Sequence, residues 1–367
     1  MYTDLATLCV TREISIREAV ERMDRNRMGM MLVVDGGGRL AGIITDGDVR
    51  RAILANLNFG QGVGTLLDQK AGTSFAKPIT AAIDAPRESL LQLLQAHSIL
   101  YLPLLDAEER VAGLVTLDEF LPHQTLALQA VVMAGGKGTR LYPLTKDTPK
   151  PMLPVGERPL MERTIARLRE MGIRQVKVTT HHQPEKIVEH FGNGSEFGVE
   201  LSYVPEHMPL GTAGGLGLLE RPTETTLVIN GDILTEVDFR AMLAFHREHE
   251  ADLTVAVRQY DVKVPYGVVQ CSGATVTGIS EKPVYGVFVN AGIYLLEPSV
   301  YALIPSNQRY DMTDLIQGLL TAGRPVVSFP VREYWLDIGA HEEYARADQD
   351  IRDGKVQGMN TKGSAAR

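Results

Sequence analysis

Residues 129 to 140 read QAVVMAGGKGTR, and they are the most informative stretch for the larger part of the chain. Gln129 to Met133 form a short, mostly apolar run of the kind that becomes a buried strand. The loop after it combines glycines, whose backbone N–H groups can approach phosphate oxygens closely, with side chains that add charge and hydrogen bonds. These loop residues are Gly135, Gly136, Lys137, Gly138, Thr139 and Arg140. The stretch predicts a strand that leads into a phosphate-binding loop, and the alternative is a tight turn that binds no ligand.

The loop matches neither of two general phosphate motifs. A P-loop has Gly-Lys-Ser/Thr after a four-residue gap, and the dinucleotide fingerprint has a third glycine at the position of Leu141. The chain around the loop is more informative, because helical and strand patterns alternate there. The pattern predicts strands over 176–180, 201–204 and 226–230 and helices over 160–171 and from Pro184. Such alternation is typical of an α/β fold with a mostly parallel, doubly wound sheet.

The first third of the chain contains an internal repeat with an offset of 71 residues, from Gly42 to Gly113. Each copy has an amphipathic stretch with helical spacing, then a strand, a tight turn and a second strand that leads into a helix. Two such units can bury a shared core that neither would form well alone. We expect an N-terminal α+β module over 1–122, a short linker at 122–125, a second domain over 126–350 and a disordered tail over 351–367.

The composition limits the classes of function. The chain has 367 residues, of which 44% are hydrophobic, and a net charge of −8. This acidic balance gives no reason to expect binding to nucleic acid or to anionic membranes, and no apolar run reaches the ~18 residues of a membrane helix. Only Cys9 and Cys271 occur, too few for a disulfide framework. With no secretory signal visible, we expect a cytoplasmic protein that binds phosphates through local basic groups.

An ordered series of motifs follows the glycine loop. Residues 148–155 read TPKPMLPV. The further blocks are Pro209–Gly215, Asn230–Asp232, Tyr266–Val269, Glu281–Pro283, Asn290–Tyr294 and Trp335–Gly339. In content and order the series resembles the sugar-1-phosphate nucleotidyltransferases over roughly residues 128 to 350. The resemblance implies a Rossmann-like sheet of the glycosyltransferase-A type and an enzyme that transfers a nucleoside monophosphate from an NTP to a sugar 1-phosphate, with release of pyrophosphate.

The resemblance also implies a role for each motif. Arg140 and Lys150 are expected to bind the triphosphate and Lys282 the phosphate of the sugar, because two anionic substrates must be neutralised and aligned. Asp232 and Asp337 are expected to hold Mg²⁺ together with phosphate oxygens and water. The other residues expected at the NTP are Ala134, Gly135, Gly136, Lys137, Gly138, Thr139, Gly211 and Thr212. Those expected to line the sugar site are Gly267, Glu281 and Asn290. Taken alone, each of these residues also has an ordinary structural explanation, such as a turn cap or a surface ion pair.

The repeat resembles a pair of CBS modules, a family that commonly binds adenine or guanine nucleotides and often pairs into dimers. The family's Gly-x-x-Thr-x-x-Asp pattern appears at Gly42, Thr45 and Asp48, whereas the second copy has Thr116 but Glu119 in place of Asp. The resemblance implies a regulatory nucleotide that contacts Thr45, Asp48 and Thr116, with ribose binding in doubt in the second copy. The alternative is a dimerisation module without a ligand. We expect a homo-oligomer, either a dimer or a tetramer.

Only resemblance to known families indicates which base the NTP carries and which sugar 1-phosphate is the acceptor. The block Pro209–Gly215 is more similar to the guanylyl-transferring branches than to the thymidylyl branch. A CBS pair joined to a transferase resembles the glucosamine-1-phosphate guanylyltransferases, which favours GTP and glucosamine 1-phosphate. Mannose or heptose 1-phosphate and uridylyl or thymidylyl transfer stay open, because base selection depends on a few hydrogen bonds that the sequence does not place. A nucleotide sensor without catalytic activity and an NTP-dependent enzyme of another kind, such as a kinase, are the alternatives from other classes.

Overall fold

The computed structural model describes residues 2, 5–26, 28–73, 76–97, 99–120, 126 and 128–356. The chain divides into two compact units, Met1–Gln124 and Thr125–Arg367. The predicted linker at 122–125 lies outside the described residues. Over the described ranges, no helix is long and apolar enough to cross a membrane.

The N-terminal unit contains two copies of one α+β motif. The first copy consists of β1 (Cys9–Val10), α1 (Ile16–Asn26), β2 (Met30–Val34), β3 (Leu40–Thr45), α2 (Asp46–Leu54) and α3 (Gly64–Lys70). The second consists of β4 (Ala81–Ala82), α4 (Arg87–Ala96), β5 (Tyr101–Leu105) and β6 (Val111–Thr116). Each forms a three-stranded sheet in which a short parallel strand flanks an antiparallel hairpin.

The two copies share a core, as the repeat predicted. Leu32 of the first copy and Leu114 of the second lie in one buried cluster, and Tyr101 packs against it. The copies differ after their second hairpin strand. The helix expected there in the second copy is a short 3₁₀ turn, Leu117–Glu119, over the residues that the structure describes.

The second unit is larger and alternates strands with helices. Its elements are β7 (Gln129–Ala134), β8 (Pro154–Val155), β9 (Arg158–Pro159), α5 (Leu160–Glu170), β10 (Gln175–Thr180), α6 (Pro184–Phe191), β11 (Glu200–Pro205), α7 (Gly211–Gly214), β12 (Thr226–Asn230), β13 (Ile233–Thr235), α8 (Phe239–Glu248), β14 (Leu253–Lys263), β15 (Val268–Ser272), β16 (Thr275–Ser280), β17 (Val284–Leu296), α9 (Met312–Thr321), β18 (Val326–Pro330), β19 (Trp335–Asp337) and α10 (His341–Arg352).

Seven of these strands form one sheet in the order β11-β10-β7-β12-β17-β14-β18. The pairs on either side of β17 are antiparallel, and the other four pairs are parallel. The predicted α/β class with a mostly parallel sheet is therefore confirmed, with one reversed strand in the middle. The central strands are buried by helices, and Val131, Val228 and Leu296 lie in one core cluster.

Strands β14 and β17 run past the end of the main sheet and form a two-stranded arm. β18 pairs with β14 only as far as Val257, and β12 pairs with β17 only from Ile293. Beyond these points, residues 258–263 pair with residues 284–289. The separate hairpin β15–β16 lies between them in the chain. We call residues 258–263 and 284–289 the arm.

The C-terminal helix α10 closes the second unit. Ile351 and Val356 are buried in a cluster with Leu141, Leu153 and Ile338. The tail expected over 351–367 therefore begins with packed residues, because its first apolar side chains cover the core beside β19. Residues 357–367 lie outside the described residues.

Candidate active site

The loops that follow β7 and β12 leave the sheet at the same edge. The two strands pair as far as Asn230 opposite Met133, and the N–H of Gly231 donates to the carbonyl oxygen of Met133 over 2.9 Å. A Cβ atom on residue 231 would lie 2.8 Å from that oxygen, so only glycine permits this approach. The glycine loop after Ala134 and the carboxylate of Asp232 are thereby held together at the carboxyl ends of parallel strands, where open α/β sheets bind ligands.

The two carboxylates expected to hold a metal lie on neighbouring short strands. β13 and β19 pair with Ile233 opposite Asp337, and the N–H of Ile338 donates to the carbonyl oxygen of Asp232 over 3.0 Å. Oδ1 of Asp337 is buried and has no hydrogen-bond partner. The pKa of Asp337 is raised, mainly by burial and next by the negative charge of Asp232. The positive charges of nearby cations lower it in part. The strand pairing thus brings two carboxylates together, and one of them has an oxygen that lacks a partner.

Lys150 lies between these carboxylates and the glycine loop. Its Nζ is 2.6 Å from Oδ2 of Asp232, and only 8% of the residue is exposed. A Cβ atom on Gly138, which has a φ of +63°, would lie 3.1 Å from the Cβ of Lys150. The hydroxyl of Thr145 donates to the carbonyl oxygen of Gly138 over 2.9 Å and fixes the loop there. The stem of Lys150 therefore packs against Gly138 of the glycine loop, and its buried ammonium group pairs with Asp232.

Arg140 also lies beside these carboxylates. A Cβ atom on Gly339 would lie 3.3 Å from Nη1 of Arg140 and 3.7 Å from Oδ1 of Asp337, so both groups border this glycine. The structure thus brings together four of the residues expected from sequence: Arg140, Lys150, Asp232 and Asp337. In the described part of the chain no group of three or more His, Cys, Asp or Glu side chains is placed to hold a metal ion. A cation here would need further oxygens from substrate or water.

The glycine loop itself is open. Gly136, Lys137 and Thr139 are exposed, and Ala134 is buried where β7 ends. Gly138 has a left-handed backbone conformation and precedes a 3₁₀ turn, Thr139–Leu141. Lys137 and Thr139 lie on either side of this glycine. The loop therefore presents the side-chain donors of Lys137 and Thr139 at the surface.

Glu206 is a candidate functional residue that the sequence reasoning missed. It is buried, with 7% exposure, and follows directly after β11. Its Oε1 would lie 3.0 Å from a Cβ atom on Gly135 and 2.8 Å from one on Gly215, while its Oε2 accepts from the N–H of Leu210 over 3.2 Å. The carboxylate therefore joins the glycine loop to the block Pro209–Gly215. An acidic residue five positions before Gly211, just past a strand, was the available signal.

The block around Gly211 and Thr212 is anchored by a second residue that was not expected, Asp311. Its Oδ1 accepts from the N–H of Thr212 over 3.0 Å, and the hydroxyl of Thr212 accepts from the N–H of Met312 over 2.8 Å. Gly211 has a φ of +81°, and a Cβ there would lie 2.5 Å from Oδ1 of Asp311. Gly211 and Thr212 are expected at the NTP, and of their backbone donors the N–H of Thr212 is already bound to Asp311.

The residues expected at the sugar fall into two places. Asn290 lies on β17 near the cluster: its Oδ1 accepts from the N–H of Gly292 over 2.9 Å. Glu281 and Lys282 lie with Gly267 beside the hairpin β15–β16, where Nζ of Lys282 is 4.0 Å from Oε1 of Glu281. A Cβ on Gly267 would lie 3.1 Å from Oε2 of Glu281. Lys282 has a φ of +43°, uncommon for a residue with a side chain.

In the N-terminal unit, the residues expected at a regulatory nucleotide cap helices. The carboxylate of Asp48 is buried and accepts from the N–H of Thr45 over 2.8 Å. It also forms ion pairs of 2.5 Å with Arg51 and with Lys70. Thr116 has the equivalent capping position in the second copy, where its N–H donates to a glutamate carboxylate. Ribose hydroxyls would have to displace these cations from Asp48.

Comparison with known proteins agrees with the geometry at the sheet edge. Residues 129–354 match the model of the nucleotidyl transferase family. The chain belongs to this family. Residues 3–55 and 74–124 each match the CBS domain. The nucleotidyl transferase domain therefore follows an N-terminal CBS pair, as both resemblances predicted.

Individual relatives of this nucleotidyl transferase differ in base and sugar. A UTP–glucose-1-phosphate uridylyltransferase of Synechocystis is 32% identical over 65% of this chain and 67% of its own length. A mannose-1-phosphate guanylyltransferase of Mycobacterium tuberculosis is 33% identical over 62% of this chain and 65% of its own length. The crystal structure of a Bacillus anthracis protein assigned as a glucose-1-phosphate thymidylyltransferase superposes with a TM-score of 0.52 at 29% identity, over 62% of this chain and 96% of that one. The chain spans about two thirds of the length of these curated relatives.

Proposed function

We propose that this protein joins a sugar 1-phosphate to the nucleoside monophosphate part of an NTP. A phosphate oxygen of the sugar 1-phosphate attacks the α-phosphorus, the bond from that phosphorus to the bridging oxygen breaks, and pyrophosphate leaves. The observation that carries the proposal is the cluster of Arg140, Lys150, Asp232 and Asp337 beside the exposed glycine loop. Cations and an anion-binding loop at one point suit a reaction between two polyanions, in which charge neutralisation and alignment supply most of the catalysis.

In this proposal Arg140 and Lys150 bind the triphosphate. Arg140 is exposed next to the loop and would bind the departing pyrophosphate, whereas Lys150 is buried and would bind the α-phosphate. Both are needed because the transition state spreads negative charge over the equatorial and leaving oxygens. Backbone N–H groups from Gly135 to Gly138 complete the cradle.

Asp232 and Asp337 fit a magnesium site. The buried Oδ1 of Asp337 has no partner, so a hard cation would satisfy an oxygen that the protein leaves unpaired. Two carboxylates suffice for Mg²⁺, which usually keeps water and substrate phosphate oxygens as its other ligands. When bound, Mg²⁺ would neutralise charge on the phosphates and orient them.

We propose GTP as the nucleotide, on the basis of Glu206. Guanine has two adjacent donors, N1–H and the N2 amino group, and a carboxylate can accept both. Uracil and thymine present a single N3–H between two carbonyl oxygens, which a carboxylate repels. Glu206 lies between Gly135 and Gly215, beside the loop that would hold the phosphates, and in this proposal it accepts from the base. The guanylyltransferase among the relatives supports the same choice.

For the sugar we propose glucosamine 1-phosphate, with mannose 1-phosphate as the alternative. The union of a CBS pair with the transferase supports the amino sugar, and its ammonium group at C2 suits an exposed carboxylate such as Glu281. Lys282 would bind the sugar phosphate, and Gly267 and Asn290 would line the ring.

A pyrophosphate-release screen tests the proposal. Four NTPs are crossed with a panel of sugar 1-phosphates in Mg²⁺ buffer, and each product is identified by mass. We expect the pair of GTP and glucosamine 1-phosphate to react fastest. Asp232→Asn should abolish release, and Asp238→Asn serves as a matched control, because the carboxylate of Asp238 is used as the cap of α8. Release of NDP in place of pyrophosphate would contradict the proposal and favour a kinase, and the absence of any reaction would favour a sensor.

The CBS pair gives a second, regulatory proposal. A nucleotide that displaces Lys70 and Arg51 from Asp48 would change the packing of α2 and α3, and it can regulate activity only if it binds two states with different affinity. Adding adenine or guanine nucleotides to the full chain should then change kcat or KM. The change should disappear in Thr45→Val, which leaves the transferase domain intact. Kinetics that no added nucleotide alters would leave the module with a structural role.

A further inference from the structure

The arm has one face made of large apolar side chains. Cross-strand partners lie on the same face of a pair of strands, and so do residues two apart on one strand. The register pairs Tyr260 with Val287 and Val262 with Tyr285, so these four side chains share a face. They are 59%, 41%, 41% and 46% exposed in that order. A two-stranded ribbon with an uncovered apolar face is marginal in water, and a further strand would stabilise it.

One edge of the arm is open. β18 stops pairing at Val257, so residues 258–263 have no strand on that side in the described ranges. The N–H of Val264 donates to the carbonyl oxygen of Pro283. In an antiparallel strand the backbone N–H and C=O groups of successive residues point alternately to the two sides. Those of Val262 and Tyr260 therefore point towards β17, as those of Val264 do. Gln259, Asp261 and Lys263 therefore direct theirs to the open edge, where they can accept another strand.

The sequence of this edge is complementary to itself. If a second copy pairs antiparallel about a twofold axis at Val262, each Asp261 lies opposite a Lys263 and each Tyr260 opposite a Val264. The two Asp261–Lys263 pairs are the ones whose backbone groups face the edge, so they exchange the hydrogen bonds. If the axis moved by one residue in either direction, Asp261 would face Asp261 of the second copy or Lys263 would face Lys263. Like charges directly opposite each other are destabilising, so these registers are disfavoured. Pro265 has no N–H and ends the pairing.

We propose that two copies of this chain associate through antiparallel pairing of residues 260–264, with the axis at Val262. The two arms become one four-stranded sheet, and its apolar face joins Tyr260 and Val262 of one copy to Val264 and Val262 of the other. The occupant of the open edge is a second copy, because a twofold interface requires a self-complementary surface and this edge provides one. The N-terminal unit is not needed for this contact.

Charge reversal in the full chain tests the register. Sedimentation gives the dissociation constant of the association for the wild type and for Asp261→Lys, Lys263→Asp and the double exchange. Each single change sets two like-charge pairs across the axis and should raise the dissociation constant about tenfold, whereas the double exchange should restore it to within about twofold. Thr275→Asp, on the exposed hairpin, should change nothing. Equal dissociation constants for the wild type and both single variants would overturn the proposal, and so would a double exchange no better than the singles.

A cross-link tests the axis directly and does not depend on how the N-terminal units associate. In a chain with Cys9→Ala and Cys271→Ser, Val262→Cys should form a disulfide between copies on mild oxidation. Residues facing each other in a non-hydrogen-bonded pair have Cα atoms about 4.5 Å apart, within disulfide range. Gln259→Cys is the matched control, because its two copies would lie about 20 Å apart along the strands. Cross-linking of Gln259→Cys as fast as Val262→Cys would overturn the register, and so would the absence of any cross-link at Val262→Cys.

Discussion

Glu206→Gln should change the base preference of the transferase without changing its fold. The two side chains have the same shape, and the amide oxygen can still accept from the N–H of Leu210, as Oε2 does now at 3.2 Å. The contact with Gly135 is therefore kept. The substitution removes the negative charge and turns one of two acceptors into a donor. A guanine edge with two donors then faces an N–H₂ group, whereas uracil can pair with the amide through one donor and one acceptor.

The expected size of the effect follows from the two hydrogen bonds that the carboxylate would make. A hydrogen bond to a charged group contributes about 1.5–3 kcal/mol, and a buried donor without a partner costs a similar amount. Losing one such bond and leaving one donor unpaired should cost about 3 kcal/mol, which is about a hundredfold in kcat/KM for GTP. For UTP we expect a rise of about tenfold, since the repulsion between the carboxylate and the uracil oxygens is removed.

The assay is pyrophosphate release at subsaturating NTP with a fixed sugar 1-phosphate, which gives kcat/KM for GTP and UTP in parallel. Glu200→Gln is the matched control, since Glu200 begins the strand that ends just before Glu206 but is exposed. The control should leave both constants unchanged. If Glu206→Gln keeps kcat/KM for GTP within about threefold, the carboxylate does not bind the base and the case for GTP fails.

Three further outcomes follow from the contacts. Gly231→Ala should abolish activity and lower the free energy of unfolding by about 1–3 kcal/mol, because the new Cβ would meet a backbone oxygen at 2.8 Å. The control is Gly36→Ala, where the new Cβ has nothing within 4 Å and should cost little stability. A urea titration measures both. Asp311→Ala should raise the KM for the NTP and destabilise α9 by about 1 kcal/mol, since it removes the acceptor that anchors Thr212 and a helix cap; an unchanged KM would count against an NTP role for that block. Burial lowers the pKa of His246, against the effect of the hydrogen bond that its imidazole donates to Glu297, so the unfolded state binds more protons below the ordinary histidine pKa. The free energy of unfolding should therefore fall as pH drops below about 6.5, by at most about 1.4 kcal/mol per pH unit, and this slope should be smaller in His246→Gln.

The sheet was predictable where strands are short, apolar and separated by helices. Four strands follow that pattern, namely β7, β10, β11 and β12. Their alternation with helices predicted that they run parallel. β14 and β17 were not predicted, because each is buried for only part of its length. In β17 the residues from Ala291 onwards are buried and those before Asn290 are mostly exposed, so no single periodicity holds. Their antiparallel pairing also joins segments far apart in sequence, which local patterns do not encode.

The site was predictable as a set of residues but not as a geometry. The order of motifs identified Arg140, Lys150, Asp232 and Asp337, which the structure brings together. The contact between β13 and β19 that places the two carboxylates side by side leaves no local signal, since it depends on tertiary packing across about a hundred residues. Glu206 was missed for another reason: an acidic residue after a strand usually caps a turn, and only its position between two glycines distinguishes it.

The pairing within the cluster indicates how an acidic chain can bind polyphosphate. Two cations and two carboxylates leave the cluster without net charge, and the chain as a whole carries −8. A bare triphosphate would therefore find little attraction there. Lys150 can turn its ammonium group to a phosphate only when Asp232 has another cation to bind, since the two are 2.6 Å apart without substrate. The unpaired oxygen of Asp337 points to the same condition. Metal and nucleotide should consequently bind as one unit.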